Sequence, residues 1–282
     1  MYLQSSLDSI TAENALEIIE KQLKELSSVV SGKSKRTSSY KEIIEEILKG
    51  EQKDKTQIAV DIDGLPPIPN YALITIAGRV AVEKNLFVTY LMDKIINATP
   101  EKQALYFNLE TEQSSLNKSI PKKTSLFINS KLTIEEIETQ SRLAYLKEPI
   151  SVIVVNHIGG IETRDKDTCK DWEQIEIAHR LAALSCTLGC VVIVLVQIND
   201  NFDNRPIGER CPMLDDAIDF MGTIQSSSWW LGIDQPQIDT DETKYKNLFQ
   251  IRCRKTRFCG GLFSLDFHFK GGQFFKREPT NP

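Results

Sequence analysis

Gly78 and Lys84 are the residues of this chain whose types and spacing first suggest chemistry. An apolar run, Ala72-Leu73-Ile74-Thr75-Ile76-Ala77, leads into Gly78-Arg79-Val80-Ala81-Val82-Glu83-Lys84-Asn85. Apolar residues at Leu86, Phe87, Tyr90, Leu91 and Ile95 then follow helical spacing. Strand, loop, lysine and helix in that order form the layout that cradles phosphate. Such a loop needs backbone N–H groups pointing inward and a Lys to meet the outer phosphates.

Two positions depart from that chemistry. Gly is favoured directly before the Lys, because the backbone must approach phosphate closely. Ser or Thr is favoured after it, to hold Mg²⁺. This chain has Glu83 and Asn85 there. Opposed unit charges at ~4 Å are worth about 4 kcal/mol at an effective dielectric of ~20, so a Glu beside phosphate is a real penalty. By the same arithmetic an inward-turned Glu83 would pair with Lys84 or Arg79 and fill the site internally. An amide oxygen at Asn85 coordinates a hard cation more weakly than the usual ligand. The candidate binding residues are Gly78, Arg79, Glu83, Lys84 and Asn85, with Asn85 also a degenerate metal ligand.

The elements that position this loop can be read from the pattern. Strands are predicted at 72–77, 104–109, 125–129, 150–156 and 191–197, and helices at 84–97, 111–118, 133–147 and 171–187. Thr133-Ile134-Glu135-Glu136 is a capping box. The strands are continuous apolar runs, as expected when both faces of a sheet are covered. Strand and helix in alternation predict an α/β fold, a mostly parallel sheet covered by helices. Later strands at 228–233, 247–254 and 262–269, with turns at Gly260-Gly261 and Gly271-Gly272, predict an antiparallel C-terminal extension.

Residues 1–57 read differently. Leu16, Ile19, Leu23, Leu26 and Val30 make one apolar stripe, and Ile43, Ile44, Ile47 and Leu48 a second. These short helices need a surface to cover, either the chain's own main domain or a neighbouring subunit. Pro66, Pro67 and Pro69 exclude regular structure in their own stretch, and the main domain is placed at 58–282.

Composition excludes several classes. Charged residues make up 26% and the net charge is −5, so no global positive field draws nucleic acid. The six Cys form no CxxC pair, which favours plain thiols in a reducing cytoplasm over a metal site. No apolar run approaches the roughly 20 residues that span a bilayer.

In an open α/β sheet, ligands bind at the carboxyl ends of the strands. Those ends carry Asn108-Leu109-Glu110, Asn156-His157 and Gln197, and the late hairpin carries Arg252, Arg254, Lys255 and Arg257. This set resembles the RecA-like motor domain of the DnaB-type replicative hexameric DNA helicases, over about residues 58–278. Ala72 to Asn85 is similar to the family's strand and Walker A loop, LIxxAARPxxGKT. Tyr106-Phe107-Asn108-Leu109-Glu110 resembles FFSLEM, which implies that Glu110 stands at the catalytic glutamate. Ile153-Val154-Val155-Asn156 resembles the Walker B strand, with Asn156 in place of the metal-holding Asp. Val194 to Asn199 resembles LSQLNR, implying that Gln197 senses the nucleotide state. Lys255-Thr256-Arg257 resembles the KxR pair that reaches a neighbour's nucleotide.

Each of these residues also has a plain reading. Glu110 and Gln197 also read as solvated or satisfied polar groups at strand ends, and His157 and His179 as structural or surface histidines. Trp229 and Trp230 read as sheet core. The basic strand 252–257 is either a solvated edge or a subunit or DNA contact. The stretches corresponding to the family's DNA-lining loops carry Arg164, Lys166, Lys170, Arg205 and Arg210 against Glu162, Asp165, Asp167, Asp200, Asp203 and Glu209, with Phe202 for stacking. Their charges nearly cancel, which argues for weak single-stranded DNA binding at most.

The resemblance therefore implies a cytoplasmic DNA-replication protein whose ATP and Mg²⁺ chemistry is weakened or lost. Its expected partners are a replicative helicase, other replication proteins, or further copies of itself docked through residues 1–57. An active helicase with an atypical loop, and an inhibitor that mimics a helicase subunit, are the alternatives.

Overall fold

The computed structural model describes residues 57–110, 120–129, 131–162, 170–198, 204–257, 261–271 and 273–277. The expected N-terminal helices, the helix at 111–118, and Gly260 and Gly272 lie outside them. The described residues fall within one unit, Thr56–Pro282.

A seven-residue strand β3 (Leu73–Arg79) is flanked by β7 (Val191–Ile198) on one side and β8 (Trp229–Asp234) on the other, both parallel to it. The sheet continues through β6 (Ile150–Asn156), β4 (Gln103–Asn108) and β5 (Thr124–Ile128), all parallel. Beyond β8 come β9 (Leu248–Thr256), β10 (Ser264–Lys270) and β11 (Gln273–Lys276), each antiparallel to its neighbour.

Every residue of β3 and β6 is buried. This is why their sequences run apolar without alternating. One face carries helix α1 (Lys84–Ala98), whose Phe87, Val88, Leu91, Met92 and Ile95 pack on Ile74 and Ile76. The other carries α2 (Ile134–Lys147) and α3 (Lys170–Leu188), whose Ile137, Ala178, Leu181 and Leu184 pack on Leu73, Ala77 and Val194. The predicted capping box starts α2: Thr133 Oγ1 accepts from Glu136 N at 3.3 Å, and Thr133 N donates back to Glu136 Oε2 at 2.8 Å. Trp229 and Trp230 are buried in the sheet core, as expected.

Two elements differ from what the sequence pattern predicts. The pattern assigns the strand predicted at 228–233 to the antiparallel extension, but the observed strand, β8, pairs parallel with β3. The chain returns to the amino end of the sheet through a 3-10 turn (Leu214–Phe220) and a short helix α4 (Met221–Ser226) before entering β8. The proline-rich stretch also contains regular structure, a two-residue ribbon joining β1 (Gln57–Ile58) to β2 (Ile68–Pro69). Pro is tolerated in such a short edge pairing because its missing N–H is not needed there.

Candidate functional site

Strand β3 carries the chain through Arg79 to the candidate loop. Arg79 ends the strand buried between two carboxylates. Its guanidinium donates to Asp234 Oδ1 at 2.9 Å and to Asp239 Oδ1 and Oδ2 at 2.9 and 2.7 Å. Arg210 Nη1 approaches Asp239 at 3.3 Å. Arg79 holds the Asp239 carboxyl below the usual range, whereas burial pushes Asp234 up against the pull of Arg79. The acids that hold Arg79 are thus Asp234 and Asp239, not the expected Glu83, whose side chain is exposed.

The loop bonds to itself where phosphate would need it open. Val82 N donates to Arg79 O at 3.2 Å and Lys84 N to Val82 O at 2.7 Å. Between them Glu83 sits at φ −74° and ψ 63°, the geometry of an inverse γ-turn. Glu83 N donates to the side chain of Gln235 at 2.8 Å. The Lys84 ammonium folds back onto the carbonyls of Gly78 at 3.2 Å and Arg79 at 2.8 Å. Gly78 makes room for it: a Cβ there would lie 3.2 Å from Lys84 Cγ and Cδ. The site is filled internally, as the charge argument anticipates, but by carbonyls and an amide rather than by Glu83.

The corner where a metal would lie is a network of amides. Tyr106 donates its hydroxyl to Asn85 Oδ1 at 3.2 Å. Asn156 Nδ2 donates to Asn108 Oδ1 and to Glu110 Oε2, both at 3.2 Å. The carboxylate can only accept, so Asn156 presents N–H, not oxygen, toward Glu110. Burial pushes the Tyr106 phenol up, which keeps it a donor. Burial also lowers the His157 pKa, with Lys84 adding to the fall and Glu110 opposing it, so the imidazole is neutral at pH 7. A hard divalent cation wants several anionic or carbonyl oxygens. Here Glu110 offers a charge, Asn85 oxygen is engaged, and Asn156 offers a donor. As arranged, these residues do not fit Mg²⁺ with a nucleotide. Among the described residues no group of three His, Cys, Asp or Glu could hold a metal ion.

The structure brings together Gly78, Arg79, Lys84, Asn85, Glu110 and Asn156. Gln197 lies beside them, in register with Gly78 across β3 and β7, and exposed. Lys255 and Arg257 lie elsewhere. Lys255 pairs with Trp230 at the start of β8, the amino end of the parallel sheet and the opposite end from Lys84. There Lys255 donates to the carbonyls of Ile224 and, at 3.0 Å, Gln225, and Arg257 also donates to Gln225. These carbonyls end α4, where cations are favoured.

The other basic candidates are held by their own chain. Arg252 binds Asp266 at 2.6 Å, Arg254 binds the Pro212 carbonyl at 3.0 Å, and Arg205 binds Asp216 at 2.8 and 2.6 Å. Arg164, Asp165, Lys166, Asp167, Asp200, Phe202 and Asp203 lie outside the described residues. Of the cysteines, Cys190 and Cys211 are free and buried, and burial pushes both thiols up to about 12. No helix among the described residues is long and apolar enough to cross a membrane.

Sequence reasoning missed Gln235, Asp234, Asp239 and the hydroxyl of Tyr106. A signal existed for two of them. Asp234 ends β8 and Gln235 follows it, so the strand-end rule would have found them once that strand was placed parallel to β3.

Comparison with known proteins agrees with this architecture. The family model for the DnaB-like helicase C-terminal domain matches residues 118–228. That stretch includes Asn156 and Gln197 and stops short of the loop and of Lys255. No curated protein matches the chain. Among solved structures, one described as an ATPase domain superposes with a TM-score of 0.71 at 16% identity, covering 86% of this chain and 100% of that one. A DnaB-like replicative helicase, whose structure was described with its interactions with primase, superposes at 0.69 and 15% identity, covering 94% and 74%. At these identities the superpositions establish the fold, and it is RecA-like, a mostly parallel sheet with an antiparallel extension. In fold this chain is RecA-like, and over residues 118–228 its sequence is similar to the DnaB-like helicase C-terminal domain.

Proposed function

We propose that this protein is a DnaB-helicase-like component of DNA replication that does not hydrolyse ATP and acts through contacts with other subunits or replication proteins. One observation carries the reading. The N–H groups of Val82, Glu83 and Lys84 and the Lys84 ammonium are bonded within the protein, at the place where phosphate would need them. The amide corner supports it, because Asn156 satisfies Glu110 without a cation. Residues 1–57 are the proposed docking segment. The likeness to a helicase described with primase makes replication proteins the natural class of partner. Glu110, Gln197, Lys255 and Arg257 are then vestigial as a catalytic set.

The test is a titration of the full chain with labelled ATP, with and without Mg²⁺, alongside turnover and light scattering. The expected result is no Mg-dependent binding and no turnover. Mg-dependent hydrolysis abolished by Lys84→Ala would overturn the reading in favour of an active helicase. Mixing with an active hexameric helicase then separates the remaining possibilities, since co-migration with loss of unwinding marks an inhibitor.

A further inference from the structure

We propose that the loop at residues 78–85 is latched shut by its own chain, with Gln235 as the latch and the cleft above Gly78 as the seat for Lys84. The inference rests on the reading above that the site does not engage nucleotide, and it assigns the cause to specific residues.

Gln235 follows β8 directly, and β8 pairs parallel with β3 from Trp229 to Gly232. The amide is therefore carried by the same sheet that carries the loop. It is 2% exposed, and its Oε1 accepts from Glu83 N at 2.8 Å. That N–H is one of the groups a phosphate oxygen would have to meet. An acceptor fixed to the sheet competes as an intramolecular ligand, at an effective concentration far above that of a free anion.

Lys84 closes the other side. Its stem lies over Gly78, and its ammonium is spent on the carbonyls of Gly78 and Arg79. A methyl group at position 78 would meet Lys84 Cγ and Cδ at 3.2 Å and the Ile233 carbonyl at 3.1 Å. The backbone carbonyl is fixed in the sheet and the lysine stem is flexible, so the lysine is the group that would move. The γ-turn at Glu83 joins the two halves, because it aims Glu83 N at Gln235 and Lys84 N at Val82 O.

Two substitutions separate these contacts. Gln235→Met keeps the volume and removes the acceptor, and Gly78→Ala fills the seat. In the nucleotide-free full chain, amide exchange at Glu83 is expected to quicken about tenfold in Gln235→Met, the factor for one lost hydrogen bond. Lys84 is 9% exposed, and its labelling by an amine-reactive reagent is expected to quicken at least severalfold in Gly78→Ala. Sodium tripolyphosphate, titrated calorimetrically, is expected to bind the double variant and not the wild type. Unchanged exchange in Gln235→Met, with α1 still protected, would overturn the latch, as would unchanged Lys84 labelling in Gly78→Ala. A double variant that opens by both measures yet ignores tripolyphosphate would show that the latch is not what excludes phosphate. The exchange and labelling measurements use no nucleotide. If wild-type protein binds MgATP, the functional reading fails while the latch is still judged by its own data.

Discussion

Asn156 stands 3.2 Å from Glu110 and donates an amide N–H to its carboxylate. The two come from the ends of adjacent elements, Asn156 closing β6 and Glu110 following β4, with Asn108 and Asn156 in register. An Asp at 156 would set two carboxylates at that distance, an arrangement that demands a proton or a cation. Asn removes the demand. The Asn156→Asp variant is therefore expected to lose about 1–3 kcal/mol at neutral pH, the cost of a lost partner and an unpaired charge. Like-charge repulsion raises the folded-state pKa of the carboxylate pair above its unfolded value. The deficit should then shrink as pH falls and grow as pH rises. Denaturant melts of both proteins at pH 5 and pH 8 check this, and an equal deficit at both would sink it.

Much of the fold is legible because the strands are buried on both faces. The run Ile150 to Val155 is apolar throughout, and β6 forms where expected with all seven residues buried. The strand β8 is equally apolar and its place is legible, but its direction is not. Direction depends on the connection through 204–228, where no strong helical stripe announces the return crossover. That error conceals Asp234 and Gln235 as strand-end residues. Lys84 shows a second limit. Its position in the loop is plain from the chain, but its turn toward the loop's own carbonyls depends on the space at Gly78 and on Ile233, which is remote in sequence. Tyr106 shows a third: as a strand aromatic it reads as core, which its fully buried ring is, yet its hydroxyl reaches Asn85.

Arg79 neutralises two acids, the buried Asp234 and the partly exposed Asp239. Asp234 is fully buried, and one of its carboxylate oxygens has no partner among the described residues. Arg79→Met should cost about 3–5 kcal/mol, as breaking a buried ion pair does when one charge is left behind. The pH profile should change as well. Asp239 is held below its ordinary value of 3.8, so its contribution is present above that pH and lost as pH falls through the lower folded value. Without Arg79 the acid limb of the stability curve should flatten. Urea titrations between pH 2.5 and pH 7 would read both effects. A variant as stable as wild type, with the same acid limb, would refute this account.

His157 gives a second pH signature. Burial depresses its folded-state pKa below the ordinary 6.5. Its contribution is therefore complete above the unfolded value and is lost as pH falls through the folded one. Wild-type stability should decline below about pH 6.5, and His157→Gln should remove that part of the slope. Proton NMR titration of the imidazole checks the cause directly, and a midpoint at or above the ordinary value would contradict it.

The close approach of α4 to α3 is set by Gly222. A Cβ at that position would lie 2.5 Å from the Ile175 Cα and 2.7 Å from the Gln174 carbonyl, both backbone atoms that cannot rotate away. Gly222→Ala must therefore part the two helices. Overpacking of this kind costs about 1–3 kcal/mol and sometimes more. It also moves the α4 carbonyls that Lys255 and Arg257 hold. The expected result is a lower thermal midpoint together with faster amide exchange at the end of α4. Lys255→Ala alone should cost less, about 0.5–1 kcal/mol, since it removes a favourable cation from a helix end without displacing backbone. Equal destabilisation by the two variants would mean that the contact with Lys255, and not the spacing set by Gly222, holds α4 in place.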